Sequence, residues 1–244
     1  VYCDFEITSN YMLNEMDYVP YLVSGSFTIS HSSKLTTIKY PNKIGGDIIL
    51  SYLYIESIGD MDKSDCCHGD LKLISLSKLK SLYGIPSEIG DCFDIESCIK
   101  LESLEYFPQD IKGSIIISNT AITSLKGCPS EVFDFKIDNN RELRSLEYCP
   151  VVIKGFLIIY NTFLNTFKYF PKRIDSGCNI YLRHANGINN FPEKITTQIN
   201  RLEADGILDF INDMNEYGIW NSDGTFNKGR FQIFINDIKN GSLK

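Results

Sequence analysis

The chain has 244 residues, 43% of them hydrophobic, and a formal net charge of −7. Length and apolar content supply a large core, while the negative balance argues against a phosphate backbone as partner. No apolar run reaches the roughly 18 to 20 residues of a membrane helix, and the opening VYCDFEITSN lacks the basic flank and apolar stretch of a secretory leader, so a cytoplasmic protein is expected.

Proline sets the first ruler along the chain. Pro20, Pro41, Pro86, Pro108, Pro129, Pro150, Pro171 and Pro192 are separated by 21, 45, 22, 21, 21, 21 and 21 residues, and the gap of 45 reads as two repeats without the middle proline, near Lys63. A second ruler is the aliphatic residue that opens the segment after each strand: Leu13, Leu35, Ile55, Leu79, Leu101, Ile122, Leu143, Leu164 and Ile188. Three residues before it stands Asn10, Asn119, Asn140 or Asn161, and in another repeat Cys98. Apolar pairs farther back, such as Phe93 with Ile95, Phe135 with Ile137 and Phe156 with Ile158, alternate with other residues as in a short strand with one buried face.

A unit of about 21 residues with one short strand cannot bury its own apolar face, so copies must stack with their strands in parallel. Proline in each return segment fixes φ and donates no hydrogen bond, which disfavours a full helix there. The unit from Ile55 to Leu79 is the least regular. Its linker GDMDKSDCCHGD has no proline and reads as a bulging loop.

Val132, Phe135, Ile137 and Asn140 resemble the strand segment of leucine-rich repeats, LxxLxLxxN. The linker Ser81-Leu82-Tyr83-Gly84-Ile85-Pro86-Ser87-Glu88-Ile89 is similar to that of short bacterial and tailed-phage members of that family. The resemblance implies an α/β repeat solenoid, mostly β, with about ten short parallel strands over residues 1–203 and an extended convex side. It further implies protein binding on the concave strand face, by a phage protein that inhibits a host defence or regulatory protein in the host cytoplasm.

Beyond the repeats, Ile207, Phe210, Ile211 and Met214 stand at i, i+3, i+4 and i+7, as do Phe231, Phe234, Ile235 and Ile238. Two amphipathic helices over 204–244 are therefore expected to form a small cap on the last repeat, whose apolar cross-section would otherwise meet water.

Counting back from the asparagines assigns the outward side chains of the strands. Ile116 and Ile158 fall inside, and the candidate partner-binding residues are Ile49, Tyr52, Lys72, Ile74, Ile115, Ile117, Asp134, Lys136, Leu157, Ile159, Tyr160, Tyr181, Arg183 and His184. The competing arrangement is a one-residue slip that buries Ile115 and Ile117.

Chemistry-bearing clusters are sparse. Asp65-Cys66-Cys67-His68 resembles metal ligands, but no second ligand pair lies nearby in sequence. The eight cysteines fall mostly at positions that are apolar in other repeats and read as small core side chains. No cysteine follows Cys178, so the tail has no candidate thiol nucleophile. A non-catalytic module is expected, with no metal, no cofactor, no nucleic acid and no membrane as partner. The alternatives are self-assembly through the N-terminal end, or an enzyme with a site in the tail.

Overall fold

The computed structural model describes residues 3–63, 67–164, 166–182, 204–223 and 225–240. Its centre is a parallel sheet, the spine of a β-solenoid of about eight turns. In chain order its strands are β1 (Phe5–Thr8), β2 (Phe27–Ser30), β3 (Ile48–Ser51), β4 (Leu71–Ile74) and β5 (Phe93–Glu96), then β6 (Ile115–Ser118), β7 (Phe135–Asp138), β8 (Phe156–Thr162) and β9 (Gly177–Leu182). Each pairs with the next, so spatial order equals sequence order. Nine of the roughly ten expected strands fall among the described residues; Ile188, the aliphatic residue expected after the ninth strand, lies outside them.

Aligned strand positions are 20 to 23 residues apart, from Ile115↔Phe135 at the short end to Ile48↔Leu71 at the long end. Between strands the chain crosses to the other side of the coil. There, two-residue strands pair in parallel, as Leu22–Val23 does with Lys43–Ile44 and Glu131–Val132 with Val152–Ile153.

The core consists of columns that run the length of the stack. One column contains Phe27, Ile48, Leu71, Phe93, Ile115, Phe135 and Leu157, and the next contains Ile29, Leu50, Leu73, Ile95, Ile117, Ile137 and Ile159, all fully buried. Each coil is sealed only by its neighbours, so burial falls where neighbours are fewer. Phe5 and Ile7 on the edge strand β1, and Leu13 after it, are only partly buried.

Beyond the sheet stand α1 (Ala204–Glu216) and α2 (Lys228–Lys239), the two α-helices among the described residues. Helix α1 packs against β9 and buries Ile207, Phe210, Ile211 and Met214, the residues its periodicity selects. Asn215 Nδ2 donates to Phe167 O at 3.2 Å and Lys168 Nζ to Ser222 O at 2.7 Å, which ties the tail to the coil after β8. Helix α2 is started by Asn227, whose side chain accepts the Arg230 amide, and it buries Phe231 and Phe234. Neither helix is long and apolar enough to cross a membrane.

The outward assignment of Ile115, Ile117, Leu157 and Ile159 is corrected: all four are buried in the core columns. Ile116, Ile158 and Phe156 take the outer face instead. The cause is a compensated shift inside the repeat. Four positions separate Ile111 from Ile115 but three separate Val132 from Phe135, while five separate Ile117 from Ile122 and six separate Ile137 from Leu143. The proline interval stays at 21 while the strand moves by one residue, and a shift of one exchanges the faces.

The same shift corrects the asparagine ladder. Asn140 is fully buried, but its counterpart one coil earlier is Thr120, not Asn119. Asn119 is exposed at φ 52°, in register with Asn139 at φ 55°. Asn140 Oδ1 accepts the Thr120 amide at 3.0 Å and its hydroxyl at 2.7 Å, and Asn140 Nδ2 donates to Ile117 O at 2.8 Å. One side chain thereby satisfies three polar groups of the preceding turn.

Candidate sheet-face interaction site

The outer face of the sheet is set by strand alternation. Its first column, just before the strands or, at Phe156, on their first residue, holds Asp4, Ser26, Asp47, Asp70, Cys92, Ser114, Asp134 and Phe156. Most of these side chains are used by the fold. Asp4 Oδ1 accepts the Ser26 amide, Ser26 Oγ the Asp47 amide, Asp47 Oδ1 the Asp70 amide and Asp70 Oδ1 the Cys92 amide, at 2.7, 3.3, 2.9 and 3.1 Å. Cys92 Sγ then accepts the Ser114 amide at 3.4 Å, Ser114 Oγ donates to Asp134 Oδ2 at 2.9 Å, and Asp134 Oδ1 accepts the Phe156 amide at 2.7 Å. This polar ladder runs from the first coil to the eighth. Asp134, expected as a partner-binding residue, is thereby engaged by the fold, and Asp-Phe, Asp-Ile and Asp-Leu at the head of four strands was a legible signal of the ladder.

The second column contains Ile49, Lys72, Asp94, Ile116, Lys136 and Ile158, and the third contains Ile74, Glu96, Ser118, Asp138 and Tyr160. Ile49, Lys72, Ile74 and Lys136 are therefore outward as expected, and half-buried. Tyr52 is 50% exposed at φ 54° and stacks on His31, with ring centroids 4.3 Å apart. The described outward candidates are spread along the strands of one sheet face, with Tyr160 39% exposed and Phe156, which the expected register placed inside, 45% exposed. Of the remaining candidates, the side chain of Tyr181 and all of Arg183 and His184 lie outside the described residues.

Electrostatics divides the face. Lys72 Nζ lies 2.9 Å from Asp70 Oδ2. Burial works to raise the Asp70 carboxyl, but Lys72 and the Cys92 amide outweigh it and hold the group below its ordinary value. Asp94 behaves oppositely. Burial and then Glu96 push it up to about 6, against the opposing pull of Lys72 and Lys136. Asp94 Oδ1 and Asp138 Oδ1 are both buried and accept no hydrogen bond.

Metal and thiol chemistry find little support in the arrangement. Asp70, Asp91 and Cys92 place ligand atoms within 4.8 Å of one another. Asp70, however, already binds the Lys72 ammonium and the Cys92 amide, and burial raises the Cys92 thiol. Of the expected cluster at 65–68, Asp65 and Cys66 lie outside the described residues. Cys67 is buried beside the Met61 sulfur at 3.8 Å, while His68 is exposed. Burial pushes the Cys98 and Cys178 thiols up to about 12, far from the thiolate needed for nucleophilic attack. Those cysteines act as core side chains.

Comparison of the chain with protein-family models, with curated proteins and with solved structures finds no match in any of the three.

Proposed function

We propose that this protein is a non-catalytic binding module that engages a protein partner through the outer face of its sheet. The observation that carries this reading is the stripe Phe156, Ile158 and Tyr160 on β8, an aromatic and aliphatic row beside Lys136 and Asp138 of the neighbouring strand β7 and Asp134 just before it. Apolar rows of this kind on a regular surface mark binding sites more often than they serve the fold. The experiment compares capture of partners from bacterial lysate by the native chain and by Ile158→Lys and Tyr160→Lys, with thermal melts as the folding control. Loss of a captured protein with an unchanged melt supports the reading, and capture that survives both substitutions overturns it.

The resemblance to tailed-phage leucine-rich repeats extends the proposal to a phage-encoded inhibitor of a host defence protein, acting in the host cytoplasm. Producing the chain in a strain that carries such a defence should then restore plaque formation by a sensitive phage, and unchanged plaque counts across a panel of defences would reject that extension.

A second reading, self-assembly, is favoured by the partly exposed Phe5, Ile7 and Leu13 beside the exposed Tyr11, Met12 and Tyr18. Sedimentation over a hundredfold concentration range separates the two, since a mass independent of concentration excludes assembly through β1.

A further inference from the structure

The face proposed above is charged in a way that selects its partner. Asp94, Glu96 and Asp138 lie on β5 and β7, and Ile116, Ile158 and Tyr160 lie between and beside them on β6 and β8. Two lysines share this surface, and Lys72 is already held by Asp70. Asp94 and Asp138 each keep one carboxylate oxygen buried with no donor, while both residues remain partly accessible from outside. A neutral or acidic partner laid over these strands would strip water from the carboxylates and give nothing back. A lysine or arginine would restore what was lost and also steer the encounter.

We infer that the partner of this face is a cationic amphipathic protein segment, which sets lysine or arginine side chains on Asp94, Glu96 and Asp138 and an apolar anchor on Ile116, Ile158 and Tyr160. The inference rests on the reading that the outer sheet face is the binding surface. From β5 to β8 is three strand spacings, about 14 Å, which a helix of about ten residues spans. Anionic lipid and nucleic acid are repelled by the same carboxylates, and the whole chain carries −7.

Titration supplies a signature. Asp94 is faced by Glu96 on its own strand, by Lys72 on β4 and Asp70 just before it, and by Lys136 on β7, while β6 brings no ionisable side chain to it. A cation seated on Asp94 would lower its pKa from about 6, so binding weakens as pH falls from 7 to 5.

The test uses the full chain and three fluorescein-labelled 18-residue helical peptides, each with leucines on one face and with lysines, glutamines or glutamates on the other. Anisotropy titrations should give the lysine peptide at least tenfold tighter binding than the other two. The double variant Asp94→Asn/Asp138→Asn should remove at least tenfold of that affinity, and Ile158→Ser should also weaken it. Glu102→Gln/Glu147→Gln, which removes two exposed carboxylates from the linkers, should leave it within twofold. Equal loss in the face and linker variants means attraction by bulk charge and overturns the inference, as does failure of the lysine peptide to bind. If the glutamine peptide binds as tightly and Ile158→Ser weakens it, the cationic partner is rejected while the binding face stands. If the lysine peptide binds but neither Ile158→Ser nor Asp94→Asn/Asp138→Asn affects it, the face itself is rejected.

Discussion

A methyl group on Gly155 would sit 1.9 Å from Asp134 Oδ1, because that carboxylate leans across the glycine of the following coil to accept the Phe156 amide. The same fit recurs between Asp4 and Gly25 at 2.0 Å and between Asp47 and Gly69 at 2.3 Å. Glycine and aspartate are thus two halves of one joint. Gly155→Ala must push the carboxylate off its amide, and Asp134→Ala leaves that amide without its acceptor. Each change should destabilise by about 1–3 kcal/mol, read as a lower urea midpoint. The double variant should fall short of the sum of the singles, because both break one contact. Full additivity would mean that the two residues act separately.

Asn140 and Asn119 look equivalent in the sequence and differ in the fold. Asn140→Ala orphans the Thr120 amide and removes a donor from the Ile117 carbonyl in a buried setting, and about 1–3 kcal/mol should be lost. Asn119 is exposed, and among the described residues its side chain donates to the Ser97 hydroxyl at 3.2 Å. Asn119→Ala should therefore shift stability by no more than about 0.5 kcal/mol. Chemical denaturation of the two variants side by side gives the comparison, and a larger effect at Asn119 would place the ladder in the other register.

Neighbouring isoleucines on β6 give the sharpest contrast. Ile117 is fully buried and Ile116 is half-buried on the outer face. Ile117→Lys forfeits roughly 1.5–3 kcal/mol of apolar burial and adds an unpaired internal charge, so it should yield insoluble or unfolded protein. Ile116→Lys should fold, with a near-native circular dichroism spectrum. Equal tolerance at the two positions would contradict the strand alternation described for β6.

Asp94 makes stability depend on pH in a stated direction. Its pKa is raised from 3.8 to about 6 in the fold, so its contribution is fully present below about pH 3.8 and is lost as pH rises through about 6. Asp94→Asn keeps the shape without the charge. It should raise the urea midpoint above that of the native chain at pH 7.5 and match it near pH 4. A lower midpoint at pH 7.5 would instead make ionised Asp94 a stabilising partner of Lys72 and Lys136.

The period, the parallel stacking and the helical tail could be read from residues because each leaves a repeated mark: proline every 21 positions, one aliphatic residue after each strand, and a 3.6-residue pattern in Ile207 to Met214. The register of β6 and β8 could not. In Ile115-Ile116-Ile117 and in Phe156-Leu157-Ile158-Ile159-Tyr160 both faces are apolar, so alternation carries no sign. The only remaining guide was distance to the next aliphatic residue, which those coils shorten by one. The outer surface was half legible: Ile49, Lys72, Ile74 and Lys136 needed only alternation, whereas Phe156, Ile158 and Tyr160 depended on the register of β8. The lack of a donor at Asp94 and Asp138 depends on neighbours 20 or more residues away, which no local pattern records.

Because each coil grips only the one before and the one after, the chain is built like a zip under load. Pulling on the two termini should not break the protein in one event. It should release coils one at a time, each liberating about 22 residues and lengthening the tether by about 75 Å before the next seam bears the force. Seams closed by an Asp-to-amide bond, such as the Asp134 to Phe156 link, should give way at higher force than the seam where the weaker Cys92 sulfur accepts the Ser114 amide. The order of rupture along the molecule is then a record of its side-chain ladder, written in piconewtons.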